Sequence, residues 1–361
     1  MNKDYEVAVY HWSNWHPYGG NDASRGKGWT EWEYLKDAIP RFVGHKQPRK
    51  PLWGYIDDSK PEIAAMQIDA AADHGVTSFI YVWGWSPDDG YGGHGNQLAL
   101  EKGFLMAKNR ERLKFGLMWC GGWKPEAFDY IIGNYFSRPN YLRVDGGLYV
   151  SVYEMDKFIE IGGGLEATAE ALRAFREKTR KAGLGEIHFA AIEWGFRKNI
   201  DELVKKLSID SVTTYAWCHN ALPPGELTAA YKDWAKEAMG YWPGFATKFG
   251  VPYHPSVSVG WDPSPRCPAS MPYTIGGPLM YHRLDGTYEI LCEPYLSSIA
   301  VDNTPDQFKI ALLEAKSYAD KLKGTKMVAI YAWNEWTEGS NLEPDDIYGM
   351  GYLEAIKETF G

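Results

Sequence analysis

No run of about 18 apolar residues occurs in the 361-residue sequence, so no membrane-spanning helix and no membrane insertion are expected. The start, MNKDYEVAVYHW, lacks a basic region followed by a long apolar run. No signal peptide is therefore expected in the sequence as it stands. Location is left open, a periplasmic or secreted origin included. Positive charge is also short: Lys and Arg number 38 against 47 Asp and Glu, a formal net charge of −9. That balance argues against non-specific binding to nucleic acid or anionic membranes, although a local basic patch stays open. Cysteine is sparse. Cys120, Cys218, Cys267 and Cys292 are scattered without a CxxC pair, which fits buried, reduced thiols better than a zinc site or a disulfide scaffold. The glycine-rich stretch GYGGHG, Gly90–Gly95, lacks the strand–turn–helix setting and the spacing of a phosphate loop.

Aromatic residues are abundant by contrast, with 16 Trp and 24 Tyr. Their rings can pack a core or line a sugar cleft, and composition alone does not separate these uses. The order of segments is more informative. Apolar runs rich in β-branched and aromatic residues begin at Val7, Thr77, Lys114, Gly147, Ile187, Ser211 and Lys326. YHPSVSVGWD, Tyr253–Asp262, supplies an eighth despite its proline. Helical patterns lie between them, among them PEIAAMQIDAAADHG from Pro61 and NQLALEKGFLMAKNRERL from Asn96. Leu165 and Thr304 begin two more, and KNIDELVKKLS and GELTAAYKDWAKEAMG are shorter ones. Such alternation predicts an α/β fold, a (β/α)8 TIM barrel formed by residues 1–361 as a single domain. Long insertions at about 14–59 and 241–291 are expected as loops over its C-terminal face or as structural additions.

Barrel sites form at the C-terminal ends of several strands. Here those ends carry His11 and Trp12, Trp83 and Trp85, Glu154, Glu193, His219, and then YAWNEWTEGSNLEPD from Tyr331 to Asp345. Glu335 and Glu338 are three apart. A helical turn after the strand would put them on one face, with Cβ atoms about 5–6 Å apart. Two close carboxylates suit general acid–base work, as in glycoside hydrolysis, because repulsion and unequal burial separate their pKa values. Acidic residues at a helix N-terminus are the structural alternative. Asn334 can orient a carboxylate, touch a sugar or serve a turn. Glu31, Glu154, Glu193 and Glu343 are candidates for the cleft, or else for ion pairs, loop anchors and caps. Trp12, Trp83, Trp85, Trp333 and Trp336 are candidates for sugar stacking or for the core. The histidines His11, His16, His45, His94, His219 and His254 lack compact ligand spacing, so neither a metal nor another cofactor is expected.

YAWNEWTEGSNLEPD resembles the C-terminal signature of glycoside hydrolase family 99 and its WbsX-like relatives. VYHWSNWHPYGG, GKGWTEWEYLKDAIPRFVGHKQPRKPLWGYIDD and GVTSFIYVWGW carry the same resemblance at the other end of the chain. GKGWTEW fits the WbsX-like branch better than the characterised mannanases. The resemblance implies a retaining α-glycoside hydrolase whose partner is an oligosaccharide or polysaccharide of manno-configured or rhamnose-containing units. Endo action is part of that implication. It also implies roles: Glu335 would deprotonate the sugar 2-hydroxyl to give a 1,2-anhydro intermediate. Glu338 would protonate the leaving oxygen and then activate water. A glycosyltransferase and a non-catalytic glycan-binding protein are the competing expectations. Oligomeric partners are not legible.

Overall fold

The protein is described here by a computed structural model over residues 4–85, 97–194, 199–219, 221, 226–273, 280–282, 288–290 and 297–361. Cys292, His94 and the stretch 90–95 lie outside the described residues.

Eight parallel strand positions build the sheet: β1 (Tyr5–His11), β2 (Ser78–Trp83), β3 (Lys114–Trp119), β4 (Gly147–Val152), β5 (Ile187–Ile192), β6 (Ser211–Thr213), β7 and β8 (Lys326–Tyr331). Position β7 is split into Tyr253–His254 and Ser256–Ser258. Its first piece pairs with β6, Val212 opposite Tyr253, and its second with β8, Ser256 opposite Ala329. Pro255 between them has no N–H to give a ladder, so the strand changes neighbours there. Its carbonyl still accepts from the Ala329 N–H at 2.9 Å. With β8 on β1, Val7 opposite Val328, the parallel sheet curls into a nearly closed TIM-like barrel.

The strands read as near-continuous apolar runs because both faces are covered. Every residue of β1, β2, β4 and β5 is buried. The helix Pro61–Asp73 begins with proline in its first turn, and Gly75 follows it at φ 88°. That is the sequence asymmetry expected of a helix start and stop. Thr304 caps Pro305–Ala319 by accepting from the Gln307 N–H at 3.3 Å, satisfying one of the first-turn donors. Helices Leu165–Lys181, Ile200–Leu207 and Tyr231–Gly240 also occupy their expected places. The helix expected from Asn96 does not form as one unit. Ala99–Gly103 is a π-turn, followed by the 3-10 turns Phe104–Met106 and Arg110–Arg112. Gly103 lies against the Asp58 carbonyl so tightly that a Cβ there would approach it to 2.3 Å. Close packing on the first connection thus overrides the helical pattern, since sequence preference is a weak prior against tertiary contact.

Within residues 14–59, the short helices Gly19–Arg25 and Trp32–Lys36 are formed. Trp15, Trp32, Leu35 and Ile56 pack with Trp336 in a second apolar cluster. Trp32 donates its indole N–H to the Ile56 carbonyl at 2.8 Å. This cluster fixes the first connection against the chain segment that follows β8. The region 241–291 holds the helix Trp242–Phe249 and the split β7 before its backbone turns through Ser264–Arg266.

Candidate active site

Beyond β8 the chain makes a small hairpin, Asn334–Glu335 against Ser340–Asn341, closed by the 3-10 turn Trp336–Glu338. Gly339 closes the turn at φ 62°, and a Cβ there would approach the Asp262 Cβ to 2.6 Å. The turn brings both glutamates to a cavity of about 360 Å³. Trp12, Glu31, Tyr153, Glu154, Tyr215 and Arg266 are among its other walls, with Trp194, His219 and Trp261 beside them.

Arg266 organises the floor. One guanidinium nitrogen, Nη1, is paired with Glu338 Oε1. Nη2 donates to Glu31 Oε1 at 3.0 Å and lies 3.6 Å from Glu335 Oε2. Nε donates to the Thr337 hydroxyl at 3.1 Å. Tyr331, the last residue of β8, donates its hydroxyl to the other oxygen of Glu338. Glu335 is buried and accepts from the Tyr215 hydroxyl at 3.2 Å, while its Oε2 has no hydrogen-bond partner among the described residues. Burial pushes the Glu335 carboxyl up to about 8, opposed by Arg266 and Tyr215 and assisted by the charge of Glu31. At Glu31 burial acts in the same direction, yet the outcome is reversed. The Arg266 charge and donors from Thr337, Trp12 and Asn14 hold that carboxyl below its usual range. Trp12 Nε1 and Asn14 Nδ2 reach Glu31 Oε2 at 2.6 and 2.9 Å. Charge and hydrogen bonding therefore give neighbouring carboxyls opposite preferences.

Of the residues singled out from sequence, Trp12, Glu31, Glu154, His219, Glu335 and Glu338 line the cavity. His219 stacks on Trp194 with ring centroids 4.4 Å apart, and burial pushes its imidazole down to about 4. The others do not line the cavity. His11 is buried against Tyr81, ring centroids 4.5 Å apart, and burial lowers it to about 4. Trp83 donates to the Tyr135 hydroxyl at 3.1 Å, and Trp85 stacks on Trp83. Glu193 is buried and accepts from the N–H of Trp194 at 3.1 Å. Trp333 packs on Phe79 in the main core. Asn334 spends its amide on the backbone of Trp12, accepting from its N–H at 2.8 Å and donating to its carbonyl at 2.9 Å. It ties the end of β1 to the turn carrying the glutamates. Trp336 donates to Glu343 at 2.7 Å, and Gln67 donates to the other oxygen of Glu343 at 2.7 Å.

Arg266, Tyr215 and Tyr331 were not singled out from sequence. Tyr215 and Tyr331 do occupy strand-exit positions, the signal that selected their neighbours. Cys120, Cys218 and Cys267 are unbridged. Among the described residues, no group of three or more His, Cys, Asp or Glu side chains is placed to hold a metal ion. No helix among them is long and apolar enough to cross a membrane.

The fold and site thus define a TIM-like barrel with an acidic cleft built on the exit from its last strand. The sequence model of the family described as Glycosyltransferase WbsX matches residues 7–124 and 293–356, just over half of the chain. The chain belongs to this family. The uncharacterized protein WxcX of two Xanthomonas campestris pv. campestris strains is 24% identical over 98% of this chain. The match covers 49% of WxcX, so the chain spans about half the length of the curated relatives it matches. Among solved structures, the family 99 endo-α-mannosidase of Bacteroides thetaiotaomicron superposes with a TM-score of 0.61 at 16% identity, over 100% of this chain and 97% of that one. A glycoside hydrolase-like protein gives 0.66 at 14% identity, over 99% and 94%. At these identities the superpositions speak for the fold.

Proposed function

We propose that residues 1–361 form one catalytic barrel and that the chain is a retaining α-glycoside hydrolase. Its substrate is a glycan with manno-configured or rhamnose units, cleaved internally. One observation carries the reading: Glu335 and Glu338 face the same guanidinium at the floor of a strand-end cleft. Glu335 takes the proton of the sugar 2-hydroxyl as that oxygen attacks the anomeric carbon. The glycosidic bond breaks, and Glu338 gives its proton to the departing oxygen. Glu338 then removes a proton from water, whose oxygen opens the 1,2-anhydro ring while Glu335 returns its proton to O2. Retention follows from two displacements at one carbon. Trp12, Glu31, Glu154 and His219 are assigned to substrate binding, joined by Tyr153 and Trp194.

The family's description as a glycosyltransferase favours a second reading, transfer from an activated sugar to a glycan acceptor. New reducing ends from an α-mannan and rhamnose-rich polysaccharide panel are the expected result under hydrolysis. Saturable binding of a nucleotide sugar, with transfer to an acceptor and no hydrolysis of the panel, would replace it with the second reading.

A further inference from the structure

Arg266 sits where a proton must change hands. Its guanidinium lies against Glu338, while the Glu335 oxygen nearest to it, at 3.6 Å, has no hydrogen bond among the described residues. An arginine beside a carboxylate favours the charged form of that carboxylate. The guanidinium therefore favours the charged form of Glu338, the proton donor of the proposed reaction, over that of Glu335, the proton acceptor. The backbone carrying Arg266 is held from below: Arg41 donates to the carbonyls of Cys267, of Met271 at 2.7 Å and of Pro268 at 3.2 Å. Only the side chain has to move to change its partner.

We propose that Arg266 is a positioning residue that sets which of Glu335 and Glu338 carries the proton they share, shifting from Glu338 to Glu335 when a sugar fills the cleft. The inference rests on the acid–base reading of the pair. One proton leaves the Glu335 carboxyl and one reaches Glu338 through the water of the open cleft. The guanidinium stays charged and the total is unchanged. Other titratable groups face the pair. The first connection contributes Tyr18, Arg25, Glu31 and Tyr34. The ends of β3 and β4 contribute Cys120, Tyr153 and Glu154. The segment after β6 contributes Tyr215, Cys218 and His219, and Tyr331 comes from β8. Burial holds both thiols and the Tyr153 and Tyr215 phenols neutral, and His219 is neutral above about 4. The charge of Glu31 raises the Glu335 carboxyl and that of Arg266 lowers it.

The test needs no substrate at first. The Glu335 carboxyl is followed by carbon-13 NMR against pH, assigned by its loss in Glu335→Gln. In Arg266→Gln its midpoint should rise by about one unit, the low end for loss of a neighbouring opposite charge. In Glu31→Gln it should fall, because a like charge is removed. A midpoint that stays in place in both variants overturns the proposal. If Arg266→Gln does not fold, Glu31→Gln together with Arg266→Lys decides. Lysine keeps the charge without the fork, so the Arg266→Lys midpoint should stay near that of the wild type. The second arm uses a thio-linked, uncleaved analogue of a glycan that the enzyme cleaves. With the analogue bound, the Glu335 midpoint should fall in the wild type, because a guanidinium that turns to a carboxyl favours its charged form. It should not fall in Arg266→Gln. A midpoint that falls equally in both proteins marks a structural role for Arg266 and overturns the proposal. Failure of every glycan would sink the hydrolase reading instead, and the titration without sugar would still decide about Arg266.

Discussion

Glu335 and Glu343 stand eight positions apart in one short segment, and both are buried carboxyls pushed up by desolvation, to about 8 and about 7. Their surroundings differ. Both oxygens of Glu343 are occupied, by Gln67 and by Trp336, and the residue lies behind the cavity wall. Glu335 has one oxygen on Tyr215 and the other without a hydrogen-bond partner among the described residues, beside Arg266 at the floor of the cleft. A raised carboxyl pKa is therefore no mark of chemistry by itself, because a structural network of buried polar groups produces one too. What separates the two is the unfilled acceptor and a neighbouring charge whose balance a ligand can change.

The largest expected effect tests the front of the wall. Glu335→Gln and Glu338→Gln should each lower turnover of an unactivated glycan by about 10²–10⁴-fold, the usual range for a missing general acid or base. An activated aryl glycoside should spare Glu338→Gln but not Glu335→Gln, since a good leaving group needs no proton. A 2-O-methyl substrate should fail with the intact enzyme. Normal turnover of that substrate would rule out the anhydro route, and full activity of both variants would place Glu335 in the same structural category as Glu343.

Behind the wall the cost should appear as stability. Glu343→Ala strands the Gln67 amide and the Trp336 indole N–H, and a buried donor left unsatisfied costs about 1–3 kcal/mol. Urea unfolding should show the loss. Glu343→Gln, which keeps the shape in neutral form, should lose less. An equal loss of stability in the two variants would mean that packing, not hydrogen bonding, governs the position.

A third measurement joins the two residues through pH. Each carboxyl is raised in the folded state, so the folded protein holds its proton more tightly than the unfolded chain. Stability from these groups is full below their ordinary value near 4.5 and is lost as pH rises, through about 7 for Glu343 and about 8 for Glu335. Glu335→Gln removes the part that extends to pH 8. The variant should gain on the order of 2 kcal/mol over wild type at pH 8 and little at pH 4. A stability difference that does not change between those pH values would show that Glu335 titrates normally.

Much of the framework was legible because strand runs and helix punctuation are local signals. Pro61 and Gly75 mark a helix that forms between them, and the strand beginnings at Lys114, Gly147, Ile187, Ser211 and Lys326 coincide with the structure. The break at Pro255 was visible as a proline, whereas its exchange of neighbours depends on the closure of the sheet. At the site, strand-exit position selected residues by topological level but not by direction. Alternate side chains at such a level face inward or outward, and Asn334, Trp333 and Trp336 face away from the cavity. Arg266 carries no periodic or motif signal, lying between Pro265 and Cys267 in a long connection. Its importance comes from three carboxylates brought to it from distant sequence.

The smallest effect concerns His219, which shares the cleft with Glu335 but lacks a fixed charge to act on. Burial beside Trp194 lowers its imidazole to about 4, so it is neutral throughout the range in which Glu335 titrates. Among the described residues its Nδ1 has no hydrogen-bond partner. A neutral ring at the wall can contribute a hydrogen bond to a sugar hydroxyl, and such a bond is worth about 1 kcal/mol. His219→Gln should therefore raise KM roughly fivefold, the equivalent of that bond, and leave kcat nearly unchanged. The ratio of wild-type to variant kcat/KM should stay constant between pH 5.5 and 7.5, the span about an ordinary histidine value of 6.5. A ratio that bends near 6.5 would show the imidazole changing charge in the working cleft. His219 would then join Glu335 as a group whose protonation the cleft controls, and the division between one titrating residue and its neutral wall would fail.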